Sequence, residues 1–229
     1  GEVFTSEKII NKMLDTLPQN VWYNTKLKWI DPAAGLGFFP MIIFFRLMKG
    51  LKNKIASPAK RSNHILKNML YMIELNPTSS AKCREFFGEN SNVITSDFLN
   101  GNWKKKKINV TKFDIVIGNP PYNQSNNIGT GHAIWQLFVR DCLNLHLING
   151  GYLLFVTPSY WRSPQLKGSN TGLFKLMTKE NQMLYLEIHD MKDGVRDFNA
   201  GTRYDIYLIE KKPIYKKTYI IDQLGVANQ

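Results

Sequence analysis

The sequence predicts an α/β protein with a mostly parallel sheet covered by helices on both faces. Short apolar runs alternate with stretches of helical periodicity, and glycine-bearing turns follow several of those runs. One run, Phe113-Asp114-Ile115-Val116-Ile117, is β-branched and apolar throughout its centre, as a strand buried on both faces requires. A length of 229 residues suits one domain with a complete core and little material for a second fold.

The elements follow in order. Ile9, Ile10, Met13, Leu14 and Leu17 recur at helical spacing behind Ser6, a residue able to cap, so Ser6 to Leu17 reads as an opening helix. Leu27 to Ile30 is a short strand running into Asp31-Pro32-Ala33-Ala34-Gly35-Leu36-Gly37, and Phe38 to Met48 is the helix beyond. Pro40 falls in that helix's first turn, where its missing N–H costs nothing. The basic stretch Gly50 to Arg61, with Pro58, reads as a connector before a helical turn at His64 to Lys67. Leu70 to Leu75 is a second strand. A helix from Thr78 or Ser79 through Phe87 ends at Gly88, and Asn92 to Thr95 is a third strand.

Beyond the Phe113 strand, Ile134, Leu137, Phe138, Cys142 and Leu145 form a helical stripe. The turn Asn149-Gly150-Gly151 should stop it before a strand at Tyr152 to Val156. Leu173 to Lys179 reads as helix and Met183 to Ile188 as strand. Tyr204 to Ile209 and Thr218 to Ile221 suggest a closing hairpin around Lys211-Lys212-Pro213.

Composition narrows the function classes. With 43% hydrophobic residues, 13 Phe, 10 Tyr and 5 Trp the chain has the material for a core, which excludes global disorder. A formal charge of +12 attracts phosphate backbones, so nucleic acid leads as partner. Cys83 and Cys142 lie far apart, and His64, His132, His146 and His189 are scattered, so no metal site is expected. The absence of a long apolar segment or a signal-peptide layout points away from membranes and to an intracellular setting. A chain opening at Gly1 without Met reads as a fragment or as a processed chain.

In such a sheet, ligands gather at strand C-termini. Asp31, Gly35 and Gly37 follow the first strand, where glycines let backbone approach a nucleotide-like cofactor. Glu74 closes the second strand, where a carboxylate can accept from ribose hydroxyls. Asp97 and Phe98 follow the third, offering an acceptor for an amino group and a face for a base. The most specific signal is Asn119-Pro120-Pro121-Tyr122, directly after the buried strand and Gly118. An aromatic amine is a poor nucleophile because its lone pair is delocalised into the ring. The Asn119 side-chain oxygen and the Pro120 carbonyl can accept from that NH₂ and favour a tetrahedral nitrogen, while Tyr122 stacks on the ring. Pro120 and Pro121 hold these acceptors in place beforehand. A proline loop that merely ends a strand does not explain the companion cofactor features.

With these motifs the chain resembles the DNA adenine-N6 methyltransferases of the restriction-modification group, over nearly its whole length. The resemblance implies a Rossmann-like, seven-stranded sheet with an antiparallel last strand, S-adenosyl-L-methionine as cofactor, DNA as partner and a flipped target base. It implies Asn119, Pro120, Pro121 and Tyr122 as catalytic residues. For the cofactor it implies Phe4, Thr5, Asp31, Ala33, Gly35, Gly37, Glu74, Leu75, Asp97, Phe98 and Asn119, with residues 1–20 as an N-terminal cofactor segment and Phe4 and Thr5 at the methionine end. No residues remain after Ile221 for a target-recognition domain, so a recognition subunit or a further C-terminal region is expected to supply specificity. The same elbow also serves relatives acting on RNA guanine N2 or protein glutamine, and a non-catalytic DNA-binding subunit is a further alternative. Asn123 to Gly131 reads as a loop closing over the base. Trp161 with Arg162 could flank the base pocket or be core and surface residues, and Lys104 to Lys107 could touch phosphate or be a solvated loop.

Overall fold

The computed structural model describes residues 4–105, 110–123, 133–163 and 171–228. The chain forms two compact units, Glu7–Gly118 and a second one built from Gly1–Ser6 with Asn119–Gln229.

The first unit carries four strands, β1 (Trp29–Asp31), β2 (Leu70–Glu74), β3 (Asn92–Thr95) and β4 (Phe113–Gly118). They lie in the order β3-β2-β1-β4, every pair parallel, with Ile30 opposite both Tyr71 and Val116. All residues of β1 and β2 are buried, which explains why each is apolar up to the acid that ends it, Asp31 or Glu74. Helix α1 (Glu7–Asp15) buries Ile9, Ile10, Met13 and Leu14, the stripe read from spacing. Helix α2 (Phe38–Gly50) opens at Gly37, whose φ of 85° lies in the left-handed region, and Pro40 occupies the first turn as expected.

The connector stays irregular from Leu51 to Ser57 but is helical from Pro58, and the helical turn expected at His64 to Lys67 is present. Pro58 takes the first position of α3 (Pro58–His64), and the Ser57 hydroxyl accepts from the Lys60 N–H at 3.4 Å. Proline there starts a helix rather than breaking one, because the first-turn N–H has no partner to lose. A π turn, Ile65–Met69, then runs straight into β2. Helix α4 (Pro77–Phe87) is capped one step earlier than read: the Asn76 side chain accepts from Thr78 and Ser79 N–H groups, with Gly88 ending it.

The second unit carries β5 (Leu147–Pro158), β6 (Gln182–His189), β7 (Tyr204–Glu210), β8 (Tyr219–Asp222) and β9 (Gly225–Asn228), in the order β5-β7-β6-β8-β9. β7 is antiparallel to both β5 and β6, the antiparallel arrangement expected for a seventh strand. The described strands number nine rather than seven, because β8 and β9 follow. The expected closing hairpin is absent: β8 pairs in parallel with β6, and β9 folds back on β8. β6 takes the edge of β7 that a hairpin would have used.

Helices α5 (Trp135–Asp141), α6 (Leu173–Thr178) and α7 (Met191–Phe198) complete this unit. Asn149-Gly150-Gly151 does not stop a helix but lies inside β5, where the Gly150 N–H donates to the Lys211 carbonyl at 2.9 Å. The helical stripe ends earlier, in a π turn over Cys142–His146. Among the described residues no helix is long and apolar enough to cross a membrane.

Candidate active site

In the first unit, the chain turns sharply between β1 and α2. Gly35 has φ 54° and donates its N–H to Glu74 Oε2 at 2.7 Å, while Glu74 Oε1 accepts from the Asn76 N–H at 2.7 Å. The Ala34 N–H donates to the Ile73 carbonyl at 2.9 Å. The end of β2 therefore fixes the glycine turn through backbone and carboxylate together. A Cβ built on Gly35 meets nothing within 4 Å, so open space stands beside the turn, whereas one on Gly37 meets Cys83 Sγ and the Phe87 ring at 3.1 Å. The two glycines thus have different reasons: one leaves room for a ligand, and the other lets α2 approach α4. Leu75, next to Glu74, is exposed.

Asp31 is buried at the end of β1, and its Oδ1 accepts from the Ala33 N–H at 3.1 Å. Burial pushes its carboxyl from 3.8 up to about 8, against the pull of the Ala33 N–H and with added repulsion from Glu74. The folded chain thereby keeps a proton that the unfolded chain releases. Stability should decline as pH rises from about 4 to about 8, by up to about 1.4 kcal/mol per pH unit, and level off above. Asp31→Asn removes this component, so denaturant midpoints of variant and parent, compared across that range, should diverge steadily with pH; parallel curves would show an ordinary carboxylate.

Asp31 also lies against the end of β4. A Cβ on Gly118 would stand 2.7 Å from Asp31 Oδ1, well inside contact distance. Only a residue without a side chain fits there, a requirement the sequence reading missed.

The acid and aromatic after β3 behave differently from one another. Asp97 Oδ1 accepts from the Leu99 N–H at 2.9 Å, leaving the carboxylate half-buried. Phe98 is buried, stacked on Trp103 at 5.6 Å between centroids and 8° between planes, and its carbonyl accepts from Trp103 Nε1 at 3.0 Å. Trp103 was not singled out in the sequence, and a lone Trp ahead of a lysine run gives no signal of this stack.

In the second unit, Asn119 and Thr5 meet across 114 positions of sequence, with Asn119 Nδ2 donating to Thr5 Oγ1 at 3.1 Å. Thr5 is buried and Phe4 exposed. This bond fixes the amide's orientation and leaves Asn119 Oδ1 as a buried acceptor with no partner among the described residues. Pro120 is buried and Pro121 exposed. The Tyr122 hydroxyl is likewise buried without a partner among the described residues, and burial raises its pKa. The Ile134 N–H donates to the Tyr122 carbonyl at 3.1 Å, and Asn123 bridges Ala133. Of the loop expected at Asn123 to Gly131, residues 124–131 lie outside the described residues.

The remaining expectations fall as follows. Lys104 Nζ sits 5.6 Å above the Trp103 ring, Lys105 ends a short 3₁₀ turn, and Lys106 and Lys107 lie outside the described residues. Cys83 and Cys142 are buried and not joined in a disulfide, and Cys83 Sγ donates to the Gly35 carbonyl at 3.2 Å. His189, Asp193 and Asp197 bring ligand-type atoms within 4.8 Å of one another, but Arg196 pairs with both carboxylates, at 2.7 and 2.6 Å.

The chain has relatives of similar sequence. It is 28% identical to an uncharacterized adenine-specific methylase of Mycoplasma pneumoniae, over 70% of this chain and 55% of that one. It is 32% identical to the modification methylase CviBIII of Paramecium bursaria Chlorella virus NC1A, over 38% and 24%. Among solved structures, the EcoKI M protein of a type I restriction enzyme superposes with a TM-score of 0.70 at 15% identity, covering 96% of this chain and 48% of that one. A modification subunit of a putative type I restriction enzyme from Vibrio vulnificus superposes with a TM-score of 0.67 at 12% identity, covering 97% and 47%. A putative class I S-adenosylmethionine-dependent methyltransferase from Listeria monocytogenes gives 0.58 at 15%, covering 94% and 63%. These likenesses establish an α/β methyltransferase fold. The chain spans about half the length of the Mycoplasma relative and of the two type I subunits. A family model matches residues 52–195, and on that match the chain belongs to the Eco57I restriction-modification methylase family.

Proposed function

We propose that this chain transfers a methyl group from S-adenosyl-L-methionine to the N6 amino group of adenine in DNA, and that residues 1–229 act as one catalytic domain. The observation that carries the reading is the buried Asn119 Oδ1, which has no partner among the described residues and whose amide is oriented by Thr5. A buried acceptor without a donor costs about 1–3 kcal/mol, so it persists where a ligand completes it. An exocyclic NH₂ is such a donor. Accepting from it draws electron density back from the ring and eases the nitrogen toward tetrahedral geometry.

The first unit's residues fit a nucleoside cofactor. Glu74, whose two oxygens each accept one backbone N–H, keeps further lone pairs for ribose hydroxyls and stands beside the open space at Gly35. When bound, the cofactor supplies an electrophilic sulfonium methyl. Phe4, Thr5, Ala33, Gly37, Leu75, Asp97 and Phe98 complete the proposed binding set, and Pro120 and Tyr122 hold the amine's second acceptor and its stacking face. The chain's +12 charge suits an anionic polymer, and one relative is named for adenine and another for modification. Target sequence would be read by a region or subunit outside these residues, and the setting is intracellular.

Transfer of labelled methyl from S-adenosylmethionine to unmethylated DNA, with RNA and protein in parallel, tests this. N6-methyladenine in the digested DNA is the expected product, while label appearing only in RNA or protein sinks the reading. Thr5→Val should lower kcat about tenfold, since the amide loses its partner but keeps its position roughly, and should weaken S-adenosylmethionine binding by a smaller factor, since Thr5 also belongs to the binding set. Thr5→Ser should restore most of that loss.

A further inference from the structure

Asn119 Oδ1 and the Tyr122 hydroxyl are not the only orphaned polar atoms of the second unit. Trp161 Nε1, Arg162 Nε and both carboxylate oxygens of Asp205 are also buried without an in-line hydrogen-bond partner among the described residues. Arg162 Nε nevertheless lies 3.0 Å from Asp205 Oδ2, an approach that holds by charge rather than by a linear bond. Asp205 is fully buried, while the Arg162 side chain is 36% exposed. Burial pushes the Asp205 carboxyl up to about 7, against the pull of Arg162 and Trp161, and a buried pair of this kind contributes little to stability by itself.

The topology says where this pair stands. Thr157 pairs with Asp205 and Pro158 with Tyr204, so Asp205 opens β7 beside the C-terminal end of β5, and Arg162 follows in the short turn Ser159–Arg162. The Ser159 N–H donates to the Arg203 carbonyl at 3.2 Å, which ties a second, exposed arginine to the same turn. Tyr207 links this edge to the elbow. Its hydroxyl accepts from Thr157 Oγ1 at 3.2 Å, the Trp161 ring meets its ring edge-on at 5.9 Å, and its phenol lies within electrostatic range of the Asp205 carboxyl and the Tyr122 phenol. Arg162 therefore stands at the sheet edge where Tyr207, itself within electrostatic range of Tyr122, packs on Trp161.

We propose that Arg162, aimed by the buried Asp205, binds a backbone phosphate of the nucleic-acid strand whose amine reaches Asn119. This rests on the methyl-transfer reading above. A guanidinium anchored through Nε keeps its outer N–H groups for a planar, two-point grip on a phosphate, and ordering it beforehand lowers the entropy lost on binding. Asp205 is then a positioning residue, and Trp161 and Tyr207 are the walls that keep the pair from swinging away.

Arg162→Gln is the direct test, with a thermal melt alongside because it removes the cation facing the buried Asp205. With a fluorescent single-stranded oligonucleotide containing unmethylated adenines, binding of the 229-residue chain should weaken about tenfold. The salt dependence of log K should shallow by about 0.7, as expected for one lost phosphate contact on a single strand. KM for the oligonucleotide should rise with kcat and S-adenosylmethionine affinity nearly unchanged. Arg162→Lys should recover the salt slope but only part of the affinity, and Lys175→Gln, a charge change on α6, should alter neither. An Arg162→Gln chain that matches the parent, or loses no more than the Lys175→Gln chain, overturns the proposal while methyl transfer by the parent still stands. A parent chain that neither binds the oligonucleotide nor methylates adenine takes both readings down.

Discussion

Asn119→Ala should reduce methyl transfer about a thousandfold or more, the effect of deleting one preorganised hydrogen-bonding group from a reacting centre, equivalent to about 4 kcal/mol of barrier. The size follows from what else is present. Thr5 takes the amide's donor side, so Oδ1 is the side-chain acceptor that remains, and Pro120 offers only a backbone carbonyl. Cofactor affinity should change little, because the carboxylate and N–H groups of the glycine turn belong to other residues. Asn119→Asp separates geometry from charge: it keeps an acceptor, and the Thr5 hydroxyl can turn to donate to it, so it should retain more activity than Ala. Labelled-methyl turnover together with calorimetry of S-adenosylmethionine reads both quantities. An Ala variant with more than about a tenth of parental kcat removes Asn119 from the chemistry.

Much of the first unit was legible because its signals are local. A parallel strand buried on both faces must be continuously apolar, and β1, β2 and β4 are read off as such. The glycine turn and Pro40 sit where backbone conformation restricts residue choice. Reading failed where one residue type has two uses. Pro58 can break a helix or begin one, and the Ser57 cap decides it. Gly150 can end a helix or sit in a strand, and its bond to Lys211, 61 positions on, decides that. The placement of β8 next to β6 was not legible at all, since pairing partners depend on which edge is free after β7 has inserted.

The site shows the same division. Asn119, Asp31 and Glu74 announce themselves through their neighbours in sequence. Their partners do not: Thr5 reaches Asn119, Trp103 covers Phe98 and Arg162 reaches Asp205 only once the chain has folded. Each is a common residue type in an ordinary context, with the pairing chemistry spread over two distant segments. The sequence marked Trp161 and Arg162 as ambiguous, and burial resolves one part of that ambiguity: Trp161 is interior.

Gly118→Ala should produce the second large effect, a loss of cofactor binding of tenfold or more together with a fall in stability. The added methyl would stand 2.7 Å from Asp31 Oδ1 and 3.3 Å from its Cγ, where real contacts do not occur. Something must yield, and the surroundings are strand backbone and a buried carboxyl. Forcing an extra methyl into such packing costs about 1–3 kcal/mol, offset by about 0.4–1 kcal/mol from the stiffer unfolded chain. The path of least resistance is rotation of Asp31, which breaks its bond from the Ala33 N–H and loosens the turn that Gly35 and Glu74 hold. Asp31→Ser should therefore relieve Gly118→Ala in part, and the coupling in a double-mutant cycle should exceed about 0.5 kcal/mol, the level separating touching residues from independent ones. Strict additivity would mean that the methyl is absorbed elsewhere, and that Gly118 owes its place to something other than room for Asp31.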